Sequence, residues 1–367
     1  MLSEMTSYIC SMVDLDANRF YSISRPPTGE LLHQHCPIRD LAASWDATTV
    51  LLECHNVGEA EREKLQSAII GTLQAYPVVY GDEGVAWLDP DHLQEPSNIA
   101  HSALYLLAWL GAVRLDFALP HDNDIVNGLT RGILSRQGLE GAFKSSFLSD
   151  DVYTGIDFFP GEAMVGLMQV YQHQPEASAN YCALEDSIRE RILSSMHQAF
   201  RFYSNYYHQG DTDTNYNIWQ IQAFTRFWNA LLQAEQTGNG KQAEQEIAAY
   251  ILDMCEDIPK SVSWKLLKRG RSFYPNLQTV EIACGLDALA QGLGVAAHYG
   301  KDEELYLLKH YSNHALQFLL HVQEQVPQDA LVGHGGLGFG GVQVLEQRLD
   351  VTGHAMSALV GLIRPTK

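Results

Sequence analysis

Six positions along the chain carry residues suited to proton transfer or ring recognition: Asp46, His101, Glu162, Trp219, Glu281 and His354. Each opens a run of small and apolar residues at helical spacing. The runs read Asp46-Ala-Thr-Thr-Val-Leu, His101-Ser-Ala-Leu-Tyr-Leu, Glu162-Ala-Met-Val-Gly-Leu, Trp219-Gln-Ile-Gln-Ala-Phe, Glu281-Ile-Ala-Cys-Gly-Leu and His354-Ala-Met-Ser-Ala-Leu. The separations are 55, 61, 57, 62 and 73 residues. A pattern recurring at so even a period marks an internal structural repeat. Three carboxylates and two imidazoles at matched positions suit general acid–base work, provided that the fold brings those positions together.

Longer, more charged segments separate these runs. They span Glu59–Tyr76, Leu184–Tyr206, Lys241–Asp257 and Asp302–Val326, with a glycine-interrupted candidate at Asp122–Phe147. Each main segment carries an apolar stripe and a polar face, as in Ile188, Ile192, Met196 and Phe200, which is the signature of an amphipathic helix. The chain therefore alternates small helices apolar all round with longer amphipathic ones. A helix apolar on every side is buried on every side. Six buried helices within an amphipathic layer predict an all-α, double-layered ring. Ser97-Asn98, Pro160-Gly161 and Pro275-Asn276 punctuate the expected inner-helix starts. The first 35 or so residues show no clear helix pattern, so residues 1–36 are expected to be an irregular extension and 37–367 the helical domain. Val78–Leu88 reads as a small hairpin or an extended loop.

The ending Gly335-Gly-Leu-Gly-Phe-Gly-Gly, followed by Leu349-Asp-Val-Thr-Gly-His-Ala-Met-Ser-Ala-Leu, resembles the last repeat of α/α-toroid proteins. Phe158-Phe-Pro-Gly-Glu-Ala-Met resembles another inner-helix start of that superfamily. The group includes six-hairpin glycosidases and sugar epimerases, terpenoid cyclases and protein prenyltransferases, and lanthionine cyclases. The resemblance implies an (α/α)6 toroid of alternating inner and outer helices over residues 37–367. Parallel inner helices would open their N-termini on one pocket, where free N–H groups favour carboxylates and anions.

On that arrangement the expected catalytic residues are Glu162, Glu281, His354 and Asp350, with Glu162 and Glu281 as the acid–base pair. The expected substrate-binding residues are Asp46, His101, Asp157, Phe158, Asn217, Trp219, Tyr274 and His334. Tyr153, Phe159, Tyr216, Phe273 and Phe339 would add aromatic surface. Carboxylates with aromatic platforms suit sugar rings, and equally suit a carbocation. A hydrolase or epimerase acting on a saccharide or other small molecule is the first expectation. A cyclase or prenyl-type enzyme and a non-catalytic helical-repeat binder are the alternatives. Each residue also has a structural reading. Glu162 and Glu281 are favoured by the helix dipole alone, and His101 suits a core or rim position. Trp219 suits packing, Asp46 can pair with Arg39, and Arg348 with Glu346 or the chain end. Asp350 and His354, one helical turn apart, can hold each other.

A net charge of −20 without a basic stripe disfavours nucleic acid and anionic membranes as partners. Cys10, Cys36, Cys54, Cys182, Cys255 and Cys284 include no Cys-x-x-Cys pair, so scattered reduced thiols in a cytoplasmic protein are expected. A zinc set of Cys284, His334 and His354 has no supporting spacing, and neither a metal nor a cofactor is expected. Asp211-Thr-Asp213 reads as a solvated turn. The start of the chain shows no signal peptide, and no membrane span is expected.

Overall fold

A computed structural model describes residues 1–54, 57–117, 119, 124–173, 184–210, 212, 214–234, 239–326, 330, 332–338 and 346–363, and the protein is mostly helical. In chain order the elements are α1 (Leu2–Ser11), β1 (Val13–Asp14), β2 (Arg19–Phe20), β3 (Ile23–Arg25), β4 (Glu30–Leu32), α2 (Pro37–Glu53), α3 (Glu59–Ala75), β5 (Val78–Tyr80), β6 (Ala86–Leu88), α4 (Pro90–Leu93), α5 (Ile99–Arg114), α6 (Asp124–Ser135), α7 (Phe159–Gln172), α8 (Asp186–His208), α9 (Thr214–Gln233), α10 (Asn239–Asp257), α11 (Val262–Leu267), α12 (Thr279–His298), α13 (Asp302–Glu324), β7 (Gln347–Arg348) and α14 (Leu349–Ile363). Asp211, Asp213, Phe339 and Cys182 lie outside the described residues.

Two compact units share the chain, one from Met1–Gly71 with Ile251–Lys367, the other from Thr72–Tyr250. In the first, α2 packs on α14 and α14 on α12, with α13 against α12. Close approach depends on small residues: a Cβ on Gly361 would meet Ala290 Cβ at 3.3 Å, and one on Gly292 would meet Cys255 Sγ at 2.4 Å. In the second unit α7 packs between α5 and α9. There a Cβ on Gly166 would meet Ala103 at 2.9 Å, and one on Gly161 would meet Trp219 at 2.4 Å. The six helices expected to be buried on all sides thus pack on one another within each unit.

The start of the chain departs from expectation. Met5, Tyr8 and Ile9 recur at the spacing of one helical face, and with Met12 they are fully buried. They form α1, which packs against α14. Glycines in the Gly-rich stretch admit it: a Cβ on Gly335 would meet the Glu4 carbonyl at 2.0 Å, and one on Gly336 the Tyr8 ring at 2.5 Å. Strand β3 pairs with both β4 and β7, joining residues near the start to those before α14. Val78–Leu88 is a hairpin, β5 against β6. The candidate helix Asp122–Phe147 ends at Ser135, after which Gln137 bridges Phe143 across a turn at Gly141, whose φ is +98°.

Although no membrane span is expected from the sequence, α12 is long and apolar enough to cross a membrane. Its apolar window is 61% buried in the protein, as befits a core helix wedged between α13 and α14.

Candidate active site

The first unit gathers Asp46, Cys284, Asp287, His354 and Ser357 where α2, α12 and α14 meet. Cys284 and Asp287 are three residues apart on α12 and so share a face. His354 and Ser357 stand in the same relation on α14. The two α14 residues reach the two oxygens of one carboxylate. Ser357 Oγ donates to Asp287 Oδ1 at 3.1 Å, and His354 Nδ1 lies 3.7 Å from Asp287 Oδ2. Cys284, on the same face of α12 as Asp287, also acts on this imidazole and raises it. Asp287 retains only 2% of its side-chain exposure, whereas His354 retains 23%.

Burial by itself would depress the His354 imidazole, but Cys284 and Asp287 beside it outweigh burial and hold the ring protonated well above its ordinary range. Asp46 approaches from α2 so closely that a Cβ on Gly353 would lie 1.8 Å from its Oδ2. Burial pushes the Asp46 carboxyl up to about 8, opposed by His354 and reinforced by Asp287 and Asp350. At neutral pH the site therefore favours a protonated Asp46 carboxyl beside a charged His354 imidazole.

Asp46 sits in the middle of α2, not at the helix start that the repeat suggested. The repeat matched residue type, while helix phase is decided by Cys36 and Pro37, where α2 begins. Arg39 is 3.5 Å from Asp350 instead of pairing with Asp46. Asp350 is also gripped by Arg348, whose Nε donates to Oδ1 at 3.0 Å. Arg348 is thus not the partner of Glu346, which faces Arg25 at 3.5 Å. Two guanidiniums occupy Asp350, and His354 turns instead to Asp287. Asp350 orders the start of α14.

Glu281, in the first turn of α12, accepts hydrogen bonds from Ser261 Oγ at 2.8 Å and Ser263 Oγ at 2.6 Å. Those bonds tie α12 to α11, since Ser261 also caps α11. Tyr274 is buried edge-on against Phe318 with ring centroids 5.0 Å apart, a packing role rather than an open platform. His334 is exposed, with Nε2 2.8 Å from the Ala330 carbonyl.

The remaining expected residues belong to the second unit. His101 is fully buried and completes the cap of α5: Asn98 Oδ1 accepts from its backbone N–H at 3.0 Å, and Asn98 N–H donates to its Nδ1 at 3.3 Å. The other ring nitrogen lies 3.0 Å from Glu95 Oε1. Burial lowers this imidazole, against the pull of Glu95. Glu162 is buried in the first turn of α7, next to the Gly161–Trp219 contact that brings the starts of α7 and α9 together. Asn217 is buried on α9, while Asp157 is partly exposed and Phe158 exposed at the entry to α7. Tyr216, expected to face a pocket, is instead buried. Its hydroxyl donates to the Tyr203 carbonyl at 2.7 Å and lies 3.1 Å from the Tyr250 hydroxyl. Tyr153 is 62% exposed and lines a cavity of about 360 Å³ with Phe202, Tyr206, Arg201 and Glu140.

Neither a protein-family model nor a curated protein sequence matches the chain. Among the described residues, no group of three or more His, Cys, Asp or Glu side chains is arranged to hold a metal ion. The geometry adds Ser357 and Gly353 to the residues that matter and joins Asp287 to His354.

Proposed function

We propose that the chain is an enzyme of the (α/α)6-toroid kind, acting on a carbohydrate-like substrate by carboxylate acid–base chemistry centred on Asp46, His354 and Asp287. The single observation that carries this reading is the pairing of opposites in one cluster: a carboxyl pressed against the α14 backbone at Gly353, beside a carboxylate bound to an imidazole and a hydroxyl. Asp46 supplies a proton to a leaving oxygen, the role a raised carboxyl plays in glycoside chemistry. Asp287, held by Ser357, orients His354. The cluster is built of polar side chains, which favours a hydroxyl-rich substrate over an apolar one. The toroid is supported by the even repeat and by the packing of the inner helices within each unit.

The test is turnover of a panel of p-nitrophenyl glycosides and unlabelled oligosaccharides by the purified chain. Asp46→Asn and His354→Gln are expected to lower kcat by about 100-fold or more, the scale of general acid–base catalysis, with unchanged circular dichroism. Full activity in Asp46→Asn removes the reading. Turnover of a polyprenyl substrate alone replaces it with the cyclase alternative.

A further inference from the structure

We propose that the cavity between the end of α8 and the loops that follow α6 binds a neutral saccharide, with a sugar ring on Tyr153 and its hydroxyls on the polar side chains of α8. Every residue of this site belongs to the second unit. The inference does not depend on the α2–α12–α14 cluster being catalytic.

The sequence of α8 builds one wall. Phe202 and Tyr206 are one helical turn apart, as are Arg201, Asn205 and Gln209, so the end of the helix carries an aromatic row beside a polar row. All five side chains line the cavity, whose volume is about 360 Å³. The planes of Phe202 and Tyr206 differ by 6°, with centroids 6.4 Å apart, and the Tyr153 ring is also 6.4 Å from Tyr206. The other wall is the chain between α6 and α7, which supplies Glu140 and Tyr153. That segment is fastened to α8. Gln137 Nε2 donates to the Ser195 carbonyl at 2.9 Å, and the Phe143 N–H donates to the Tyr203 hydroxyl at 3.0 Å. At Gly141 the approach is so close that a Cβ would meet the Gln198 carbonyl at 2.2 Å. Asp151 accepts from the Tyr153 N–H at 2.9 Å and fixes the turn there. The cavity is thus formed in advance, with Tyr153 62% exposed to a ligand.

Charge selects the ligand class. Arg201 and Glu140 bring one cation and one anion to the same cavity, and among the described residues neither is in an ion pair. An anionic ligand would meet Glu140 and the negative end of α8, which closes at His208. A cationic ligand would meet Arg201. A polyol suits both groups, because each hydroxyl donates and accepts. The guanidinium and the amide N–H groups of Asn205 and Gln209 donate to it, and Glu140 accepts from it. The C–H face of a pyranose is apolar and packs on an aromatic ring, as at Tyr153. Size sets the length of the ligand. Small-molecule pockets span about 300–1,000 Å³, so this one is at the lower end. The polar row from Arg201 to Gln209 runs about 12 Å along the helix, which matches a disaccharide.

The test is binding to the full chain, measured by saturation-transfer NMR and calorimetry. The probes are cellobiose, maltose, lactose and chitobiose at up to about 10 mM. At least one is expected to bind, with saturation strongest on the C–H protons of one ring face. Tyr153→Ala is expected to weaken that binding about tenfold, and Tyr153→Phe to keep it within about threefold, because the ring is the platform. Arg201→Ala is expected to weaken it as well, and Asp46→Asn to leave it unchanged. Circular dichroism verifies that each variant is folded. Wild-type affinity in Tyr153→Ala overturns the proposal. So does the absence of binding by all of these disaccharides, or binding of choline or free tyrosine in their place. If Asp46→Asn loses the sugar while Tyr153→Ala keeps it, the sugar sits at the α2–α12–α14 cluster. This cavity then falls as a saccharide site, and the proposed function stands.

Discussion

Asp46 shows how one side chain links stability to pH. Its carboxyl has an ordinary value of 3.8 and reaches about 8 in the folded protein, where burial disfavours the charge. The folded state therefore holds this proton more tightly than the unfolded state does. The associated stability is complete below about pH 4 and is lost as pH rises through about 8. Asn at this position has the same shape and nothing to titrate. The melting temperature of Asp46→Asn is therefore expected to rise relative to the wild type between pH 5 and pH 9. Paired thermal melts across that range check the sign, and a gap that fails to widen with pH contradicts the burial of the carboxyl. Much of this was hidden in the sequence. Asp46 was legible as a candidate site residue, but its closeness to Gly353 and Asp287, far along the chain, was not. Arg39 looked the natural partner of Asp46 because it is near in sequence, yet Asp350 takes it.

At the scale of elements, the α2–α14 contact depends on the missing side chain of Gly353. Gly353→Ala is expected to displace the Asp46 carboxyl and to destabilise by about 1–3 kcal/mol, the usual range for overpacking a core. Gly294 on α12 is the control, because a Cβ there meets nothing within 4 Å. Gly294→Ala is expected to stabilise by about 0.5–1 kcal/mol through helix propensity. Chemical denaturation of the two variants separates close packing from propensity, and equal effects would refute the packing account. The helices themselves were legible: Glu59–Tyr76 appears as α3, Asp302–Val326 as α13, and Asn98 caps α5 as its type suggests. Their periodicity is local information. The phase of Asp46 within α2 was not legible, because matching residue types does not specify where a helix starts.

Across the molecule, the chain from Met1 onward belongs to the core of the first unit. Met5, Tyr8, Ile9 and Met12 are fully buried, and α1 lies against the glycines at 335 and 336. Truncating one such side chain costs about 2–5 kcal/mol, and a typical domain has only about 5–15 kcal/mol in total. Deletion of residues 1–12 is therefore expected to abolish the cooperative thermal transition seen by circular dichroism. A truncated chain melting like the wild type would show that α1 is dispensable. The stripe that marks α1 was present in the sequence, but it is brief, and nothing nearby shows that Gly335 and Gly336 make room for it.

Local chemistry was enough to establish the helical character and the contrast between apolar and amphipathic helices, because hydrophobic period and capping act over a few residues. Tertiary structure alone decided which polar groups meet. Glu281 went to two serines and His101 to a helix cap, while His354 crossed to Asp287. Such choices depend on distances between residues remote in sequence and on the cost of leaving a charge buried without a partner. A periodic pattern specifies which face of a helix is buried and leaves open what that face will touch.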